Sequence, residues 1–249
     1  LYTKRWAIGG TGFLGSFNDL LTNADANYTA AEYVRQQIKR VVKDKETAEI
    51  LCPRSYPIGT KRICIDTGYF ETYNRENVKL VDISKKPIQR LVADGIIVDD
   101  QLYAFDSIIF ATGFDAMTGS IFNVDIKGRG GLALKEKWNA GPKTYLGLMS
   151  ASFPNLFMIT GPGSPSVKSN MIMSIEQHVD LVIETLLSMR RKGLSVVEPE
   201  LEAENKWVDH VQEVANKTLF PQANSWYMGA NIPGKPRLFM PYIGGVGAY

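Results

Sequence analysis

The stretch from Ser225 to Arg237 gathers residue types that together could hold an anionic ligand. Trp226 brings an aromatic face and one N–H donor, while Lys235 and Arg237 bring cations suited to a phosphate or carboxylate. Gly229, Pro233, Gly234 and Pro236 supply the turns between them. A plain connection needs only the turn formers, so the added aromatic and cations suggest a loop that covers a ligand. A second pair of cations, Lys61-Arg62, stands in the run from Gly59 to Tyr69. As a bare dipeptide it reads as a solvated loop.

Three glycine-bearing segments could also bring backbone close to a ligand. Leu156–Thr160 has the make-up of a buried strand and runs into Gly161-Pro162-Gly163-Ser164-Pro165, with a helix expected from Asn170 or Met171. Such a unit places unpaired N–H groups and a positive dipole end at the carboxyl edge of a sheet, where electron-rich ligand atoms bind. Ile109-Phe110-Ala111-Thr112-Gly113-Phe114-Asp115-Ala116 ends an apolar run on two residues without bulk, which lets the backbone pass close to a neighbouring layer. Gly10-Thr11-Gly12-Phe13-Leu14-Gly15 matches the dinucleotide fingerprint as a string, but Lys4 and Arg5 interrupt the strand that must precede it. It reads as a glycine-rich loop rather than the nucleotide site of a short-chain reductase.

As strings, these segments resemble the C-terminal half of Baeyer–Villiger monooxygenases, flavoenzymes that insert oxygen beside a ketone. Ser225–Arg237 resembles the family's C-terminal signature. Ala111-Thr112-Gly113 resembles the motif at the junction of the FAD and NADPH domains, and Phe114-Asp115-Ala116 favours the Baeyer–Villiger branch. Lys61-Arg62, followed by Asp66-Thr67-Gly68-Tyr69 and Tyr73–Val78, also follows the family pattern. The resemblance implies Arg62 as the catalytic arginine, Lys61 on the NADPH 2′-phosphate, and Trp226 near the nicotinamide cofactor's ribose. It also implies that Met171 contacts FAD and that Pro165, Val167, Lys168 and Met228 line the substrate pocket, Lys168 adding charge to that wall.

The implied chemistry suits an arginine. A peroxyflavin formed from reduced FAD and O₂ attacks the ketone, and a permanent cation stabilises both the peroxide and the tetrahedral adduct. The implied partners are NADPH, O₂ and a small ketone, and the product is an ester or lactone. An oxygenase of nitrogen or sulfur using the same cofactors, and a noncatalytic module that keeps the fold, are the alternative readings.

The elements that must position these residues read as mixed α/β. The expected architecture is part of a two-dinucleotide-binding-domain flavoprotein, the end of an NADP domain followed by the C-terminal part of an FAD domain. The expected boundary separates 1–110, with a helical insert, from 111–249. Thr29–Glu32 reads as a capping box opening a helix with Val34, Ile38 and Val41 on one face. Val78–Ile83 and Ser107–Ala111 read as strands, and Ile88–Val92 and Ile96–Val98 flank a hairpin turn at Asp94-Gly95. Residues 120–155 read as irregular connections holding short strands. A helix carrying Ile175, Val179, Val182, Ile183 and Leu186 ends in Arg190-Arg191-Lys192 before Gly193, and another spans roughly Glu200–Leu219.

Composition narrows the classes further. The 249 residues include 28 Lys and Arg against 26 Asp and Glu, a net charge of +2, too small to suggest nucleic acid. No apolar run approaches the roughly 20 residues needed to span a bilayer. Two cysteines, Cys52 and Cys64, form no metal spacing or disulfide framework, so a reducing, cytoplasmic setting is expected. His178 and His210 sit in helical patterns and read as structural or solvent-facing; two histidines give no zinc site or Ser-His-Asp arrangement.

Overall fold

The computed structural model describes residues 1–165 and 169–249. The chain divides into two units. One comprises Leu1–Ser16, Tyr28–Arg54 and Ile63–Gly113, and the other comprises Phe17–Asn27, Ser55–Arg62 and Phe114–Tyr249.

The first unit opens with helix α1 (Tyr2–Ile8) and a 3₁₀ turn at Gly10–Ser16. Phe13 of that turn is buried against Tyr2, Trp6 and Tyr33, with ring centroids 5.5–6.0 Å away. A phosphate loop needs a strand before it and open backbone; here a helix precedes, and the turn serves an aromatic core. Helix α2 (Ala24–Val41) begins earlier than its capping box suggests. The Asn23 Oδ1 accepts the N–H groups of Asp25 (2.9 Å) and Ala26 (3.2 Å), so the true cap lies upstream and Thr29 falls inside the helix. Its inner face, Val34 and Ile38, packs with Val42, Ala48 and Cys52. The expected Val41 gives way to Val42, the next residue. Helix α3 (Lys45–Leu51) is capped by the Asp44 carboxylate, and the short α4 (Tyr69–Thr72) adds Phe70 to the same cluster.

The sheet of this unit has three strands in the order β1 (Ile88–Val92), β2 (Gly95–Val98) and β3 (Gln101–Ala104), all antiparallel. The hairpin read at Asp94-Gly95 is present, with Val92 opposite Gly95. A Cβ on Gly95 would lie 2.0 Å from the Tyr103 carbonyl oxygen, so this position admits only glycine. The second hairpin turns on Asp99 and Asp100, both at positive φ (53° and 59°), a conformation that Asp tolerates and that matches the strand twist. Val78–Ile83 and Ser107–Ala111 form no strand. A strand buried on both faces needs neighbours to take its N–H and C=O groups, and no described residues pair with Ser107–Ala111. Ile109 is 90% exposed as a result.

The second unit holds helices α5 (Gly119–Phe122), α6 (Leu134–Lys137), α7 (Met171–Arg191) and α8 (Leu201–Asn216). Between α5 and residue 155, apart from α6 and a 3₁₀ turn at Arg129–Gly131, the chain forms turns with two isolated bridges, Lys127 to Ala133 and Tyr145 to Met149, where short strands were expected. Leu156–Thr160 likewise forms no strand. Helix α7 starts where expected, with the Asn170 Oδ1 accepting the Ile172 N–H at 3.0 Å, and ends at Gly193, whose φ is 63°. Only Ser174 and His178 of α7 are buried, while Ile175, Val179, Ile183 and Leu186 of its apolar stripe are exposed. Among the described residues no helix is long and apolar enough to cross a membrane.

Helix α8 is tied down by a buried charge. Glu204 is fully buried, and its carboxylate accepts Lys137 Nζ (2.7 and 2.9 Å), Ser150 Oγ (3.0 Å) and the Ala151 N–H (2.9 Å). Lys137 Nζ also donates to the Ala151 carbonyl at 2.5 Å. Every lone-pair direction that matters is used, which is the condition under which a buried ion pair is tolerated. Further along α8, Val211 and Ala215 pack against Phe220, Tyr227, Met228, Phe239 and Tyr242.

Replacing Glu204 with Ala strands the Lys137 ammonium and two donors in a dry site. The expected loss is about 3–5 kcal/mol, read as a lower urea midpoint at unchanged slope. A midpoint equal to that of the parent would show that the pair does not hold α8.

Candidate functional site

The residues singled out by their chemistry converge, in part, on the turn that α8 supports. A 3₁₀ turn at Trp226–Met228 closes on Gly229, whose φ of 67° is left-handed. A Cβ there would meet the Pro236 carbonyl oxygen at 2.9 Å, so both conformation and space require glycine. Tyr227 is buried in the α8 cluster and the half-buried Trp226 lies against it, its ring tilted by 50° at 4.3 Å between centroids. Met228 is 6% exposed and packs in the same core.

Arg62 belongs to this unit and meets the turn at Tyr227. Burial pushes the Tyr227 phenol above its usual pKa, and the facing Arg62 guanidinium pulls it part of the way back. Arg62 is otherwise exposed. The cation is thus placed beside the buried Tyr227 phenol. Lys61, beside it, sets its ammonium 4.4 Å from the centroid of the Tyr56 ring, a cation–π contact that limits where the side chain can reach.

The other two cations of the covering loop are spent inside the protein. Lys235 forms an ion pair with Asp115, and Arg237 bonds the Asn224 side chain (2.6 Å) and the carbonyls of Pro221 and Ala223. The carboxylate and oxygens that a ligand would have brought to them are supplied by the chain itself.

The segment from Gly161 to Met171 is also more occupied than expected. The Gly161 N–H donates to Gly147 O (3.1 Å), the Gly163 N–H to Met240 O (2.5 Å) and the Ser164 N–H to Gly161 O (3.2 Å). The Trp207 Nε1–H donates to the Gly163 carbonyl at 3.0 Å, which links this loop to α8. Its amides therefore fix the loop rather than wait for an anion. Pro165 is buried, and its carbonyl accepts the hydroxyls of Ser169 and Ser174. Met171, 37% exposed, stands on the first turn of α7. Val167 and Lys168 lie outside the described residues.

Sequence reasoning did not reach Tyr227, Tyr56, Glu204 or the partnership of Asp115 with Lys235. Tyr227 adjoins Trp226, and Asp115 follows Gly113 closely, so both stood inside segments already singled out. Their partners are distant in sequence, and no local spacing points to them.

Comparison with known proteins gives the geometry a family setting. A Baeyer–Villiger monooxygenase from Pseudooceanicola batsensis is 41% identical over 253 aligned residues, which cover all of this chain and 46% of that protein. A phenazine N-monooxygenase from Lysobacter antibioticus is 38% identical, again over all of this chain and 46% of its own length. Cyclohexanone monooxygenase from Rhodococcus sp. Phi1, solved bound to NADP⁺, superposes with a TM-score of 0.94 at 39% identity, covering all of this chain and 46% of that one. The monooxygenase OTEMO, solved as a complex with FAD and NADP, gives a TM-score of 0.86 at 39% identity over 92% of this chain and 42% of that one. No family model matches. The chain spans about half the length of the curated relatives it matches. The resemblance to Baeyer–Villiger monooxygenases holds over its whole length, and the fold is that of about half of a two-dinucleotide-binding-domain oxygenase.

One titration follows from the same region. His178 is fully buried, its Nδ1 accepts the Thr160 N–H at 3.0 Å, and burial lowers its pKa below the usual value of 6.5. The unfolded chain then binds more protons than the folded one around pH 6, so this histidine's contribution is present above about pH 6.5 and is lost as pH falls toward the folded value. Urea midpoints measured from pH 7.5 to 5.5 should decline, and His178→Gln should flatten that decline. An equal slope in the variant would assign the pH dependence to other groups.

Proposed function

We propose that this chain is the part of an FAD- and NADPH-dependent oxygenase that supplies the catalytic cation and the loop over the nicotinamide cofactor, in a reaction converting a ketone to an ester or lactone. The observation that carries the reading is Arg62 held against Tyr227 in the Trp226–Met228 turn. An exposed guanidinium placed beside a buried phenol is held near one position, where it can meet an anion that forms only during reaction. Such preorganised charge lowers the barrier because no reorganisation is needed when the negative oxygen appears.

The donor set fits the two cofactors. Lys61, a compact ammonium, suits the 2′-phosphate that distinguishes NADPH from NADH, and Tyr56 restricts its reach. Trp226 offers its N–H to the cofactor's ribose side, and Met171 offers a soft apolar contact to the flavin edge. When bound, the reduced flavin supplies the activated oxygen. Arg62 then stabilises the negative charge that develops on the substrate carbonyl oxygen. Pro165, Val167, Lys168 and Met228 remain the proposed wall for the ketone. Residues 1–110 are proposed as the end of the NADP domain and 111–249 as the C-terminal part of the FAD domain, with O₂ as co-substrate and the cytoplasm as the setting.

A second reading, oxygenation of an aromatic nitrogen with the same cofactors, is favoured by the phenazine N-monooxygenase relative. The two separate on Arg62, because stabilising a carbonyl adduct is the additional demand of ketone chemistry.

In the complete oxygenase, Arg62→Ala should lower the rate of ester or lactone formation by about 10²–10³-fold while flavin content is retained. Product quantification by gas chromatography checks this across a panel of ketones and N-heteroaromatics. Undiminished lactone yield would refute the assignment, and loss of ketone activity with retained N-oxidation would confirm the division of roles.

A further inference from the structure

The arch from Ser225 to Arg237 is shaped from within by its backbone. Its legs close through Ala230 N–H to Ser225 O (3.1 Å), Leu238 N–H to Met228 O (3.1 Å) and Met240 N–H to Tyr227 O (2.8 Å). Its crown is a four-residue turn in which Pro233 and Gly234 (φ 78°) occupy the centre and the Lys235 N–H donates to Ile232 O at 3.2 Å. Two side chains reach outward from that crown. Asn231 Nδ2 donates to the Phe114 carbonyl at 3.2 Å, and Lys235 pairs with the Asp115 carboxylate while donating to the Ala116 carbonyl at 3.0 Å.

The receiving segment is itself fixed. The Asp115 carbonyl accepts the Gly119 N–H at 3.1 Å, and the Asp115 Cβ sits so close to Gly119 that a Cβ added there would lie 2.8 Å away. The Lys235 side chain is only 11% exposed, and its methylenes lie alongside Gly229 at the base of the arch. Its ammonium is thus led back across the arch to one destination. Asp115, with its side chain 39% exposed, is the member that solvent can reach.

We propose that the Asp115–Lys235 pair is a latch that sets the seated position of the Trp226 arch, which makes both of them positioning residues for retention of the nicotinamide cofactor. The inference rests on the reading of Trp226 as a cofactor contact. The latch joins residues 120 positions apart, so it also links the arch to the segment that follows Gly113. The charge on the latch is what selects the seated arch: a neutral side chain at either end leaves the partner's charge half-buried and unpaired, which favours release. High salt weakens the exposed carboxylate's hold and shifts the arch the same way.

The test uses the complete oxygenase and three variants: Asp115→Asn, Lys235→Met, and the exchanged pair Asp115→Lys with Lys235→Asp. Chymotryptic cleavage in the arch reports its seating without reference to any cofactor, and titration of the flavin absorbance with NADP⁺ reports retention. Both single variants should be cut faster and bind NADP⁺ about tenfold more weakly. FAD content should stay at parent level, and the exchanged pair should recover part of both losses. Parent-like cleavage in the single variants, or an exchanged pair no better than either single, would overturn the latch. A parent protein that binds no NADP⁺ would sink the oxygenase reading instead, leaving cleavage alone to decide whether the latch exists.

Discussion

Much of the second unit depends on one carboxylate removed from water. A charge in a dry interior needs full compensation, and Glu204 receives an ammonium, a hydroxyl and a backbone amide. That set of donors fixes the first turn of α8. Once α8 is fixed, Trp207 one turn later meets the Gly163 carbonyl, and Val211 and Ala215 form the floor on which Tyr227 and Met228 pack. Arg62 is then placed by Tyr227. The candidate catalytic cation thus owes its position to a charge pair that takes no part in the chemistry.

The same unit shows how a loop rich in cations can be neutral toward ligands at most of its positions. Lys235 and Arg237 satisfy a carboxylate and several carbonyls of the chain, bonds that cost less entropy than holding a free anion because both partners are already ordered. Arg62 and Lys61 differ. Lys61 lies over the Tyr56 ring, and Arg62 acts on the buried Tyr227 phenol.

Features set by neighbouring residues were legible in the sequence. The Asp94-Gly95 hairpin, the Asn170 cap of α7, its cationic end before Gly193 and the span of α8 all follow from local turn and capping chemistry. Features set by distant partners were not. Ser107–Ala111 and Leu156–Thr160 have strand composition, yet a strand exists only where another backbone lies alongside, and composition does not say whether one does. Asn23 displaced the capping box at Thr29 because a longer helix gains more bonds from the earlier cap. At the candidate site the resemblance pointed to Lys61, Arg62 and Trp226, but the pairing of Arg62 with Tyr227 joins residues far apart in sequence.

The central claim is that Arg62 works through its charge at a fixed place. The direct measurement compares Arg62→Lys with the similarly long but neutral Arg62→Met in the complete oxygenase, scoring ester formed per NADPH consumed. The account predicts that the lysine variant retains at least about tenfold more coupling than the methionine variant, since a point charge keeps part of the stabilisation. Equal coupling in the two variants would contradict it.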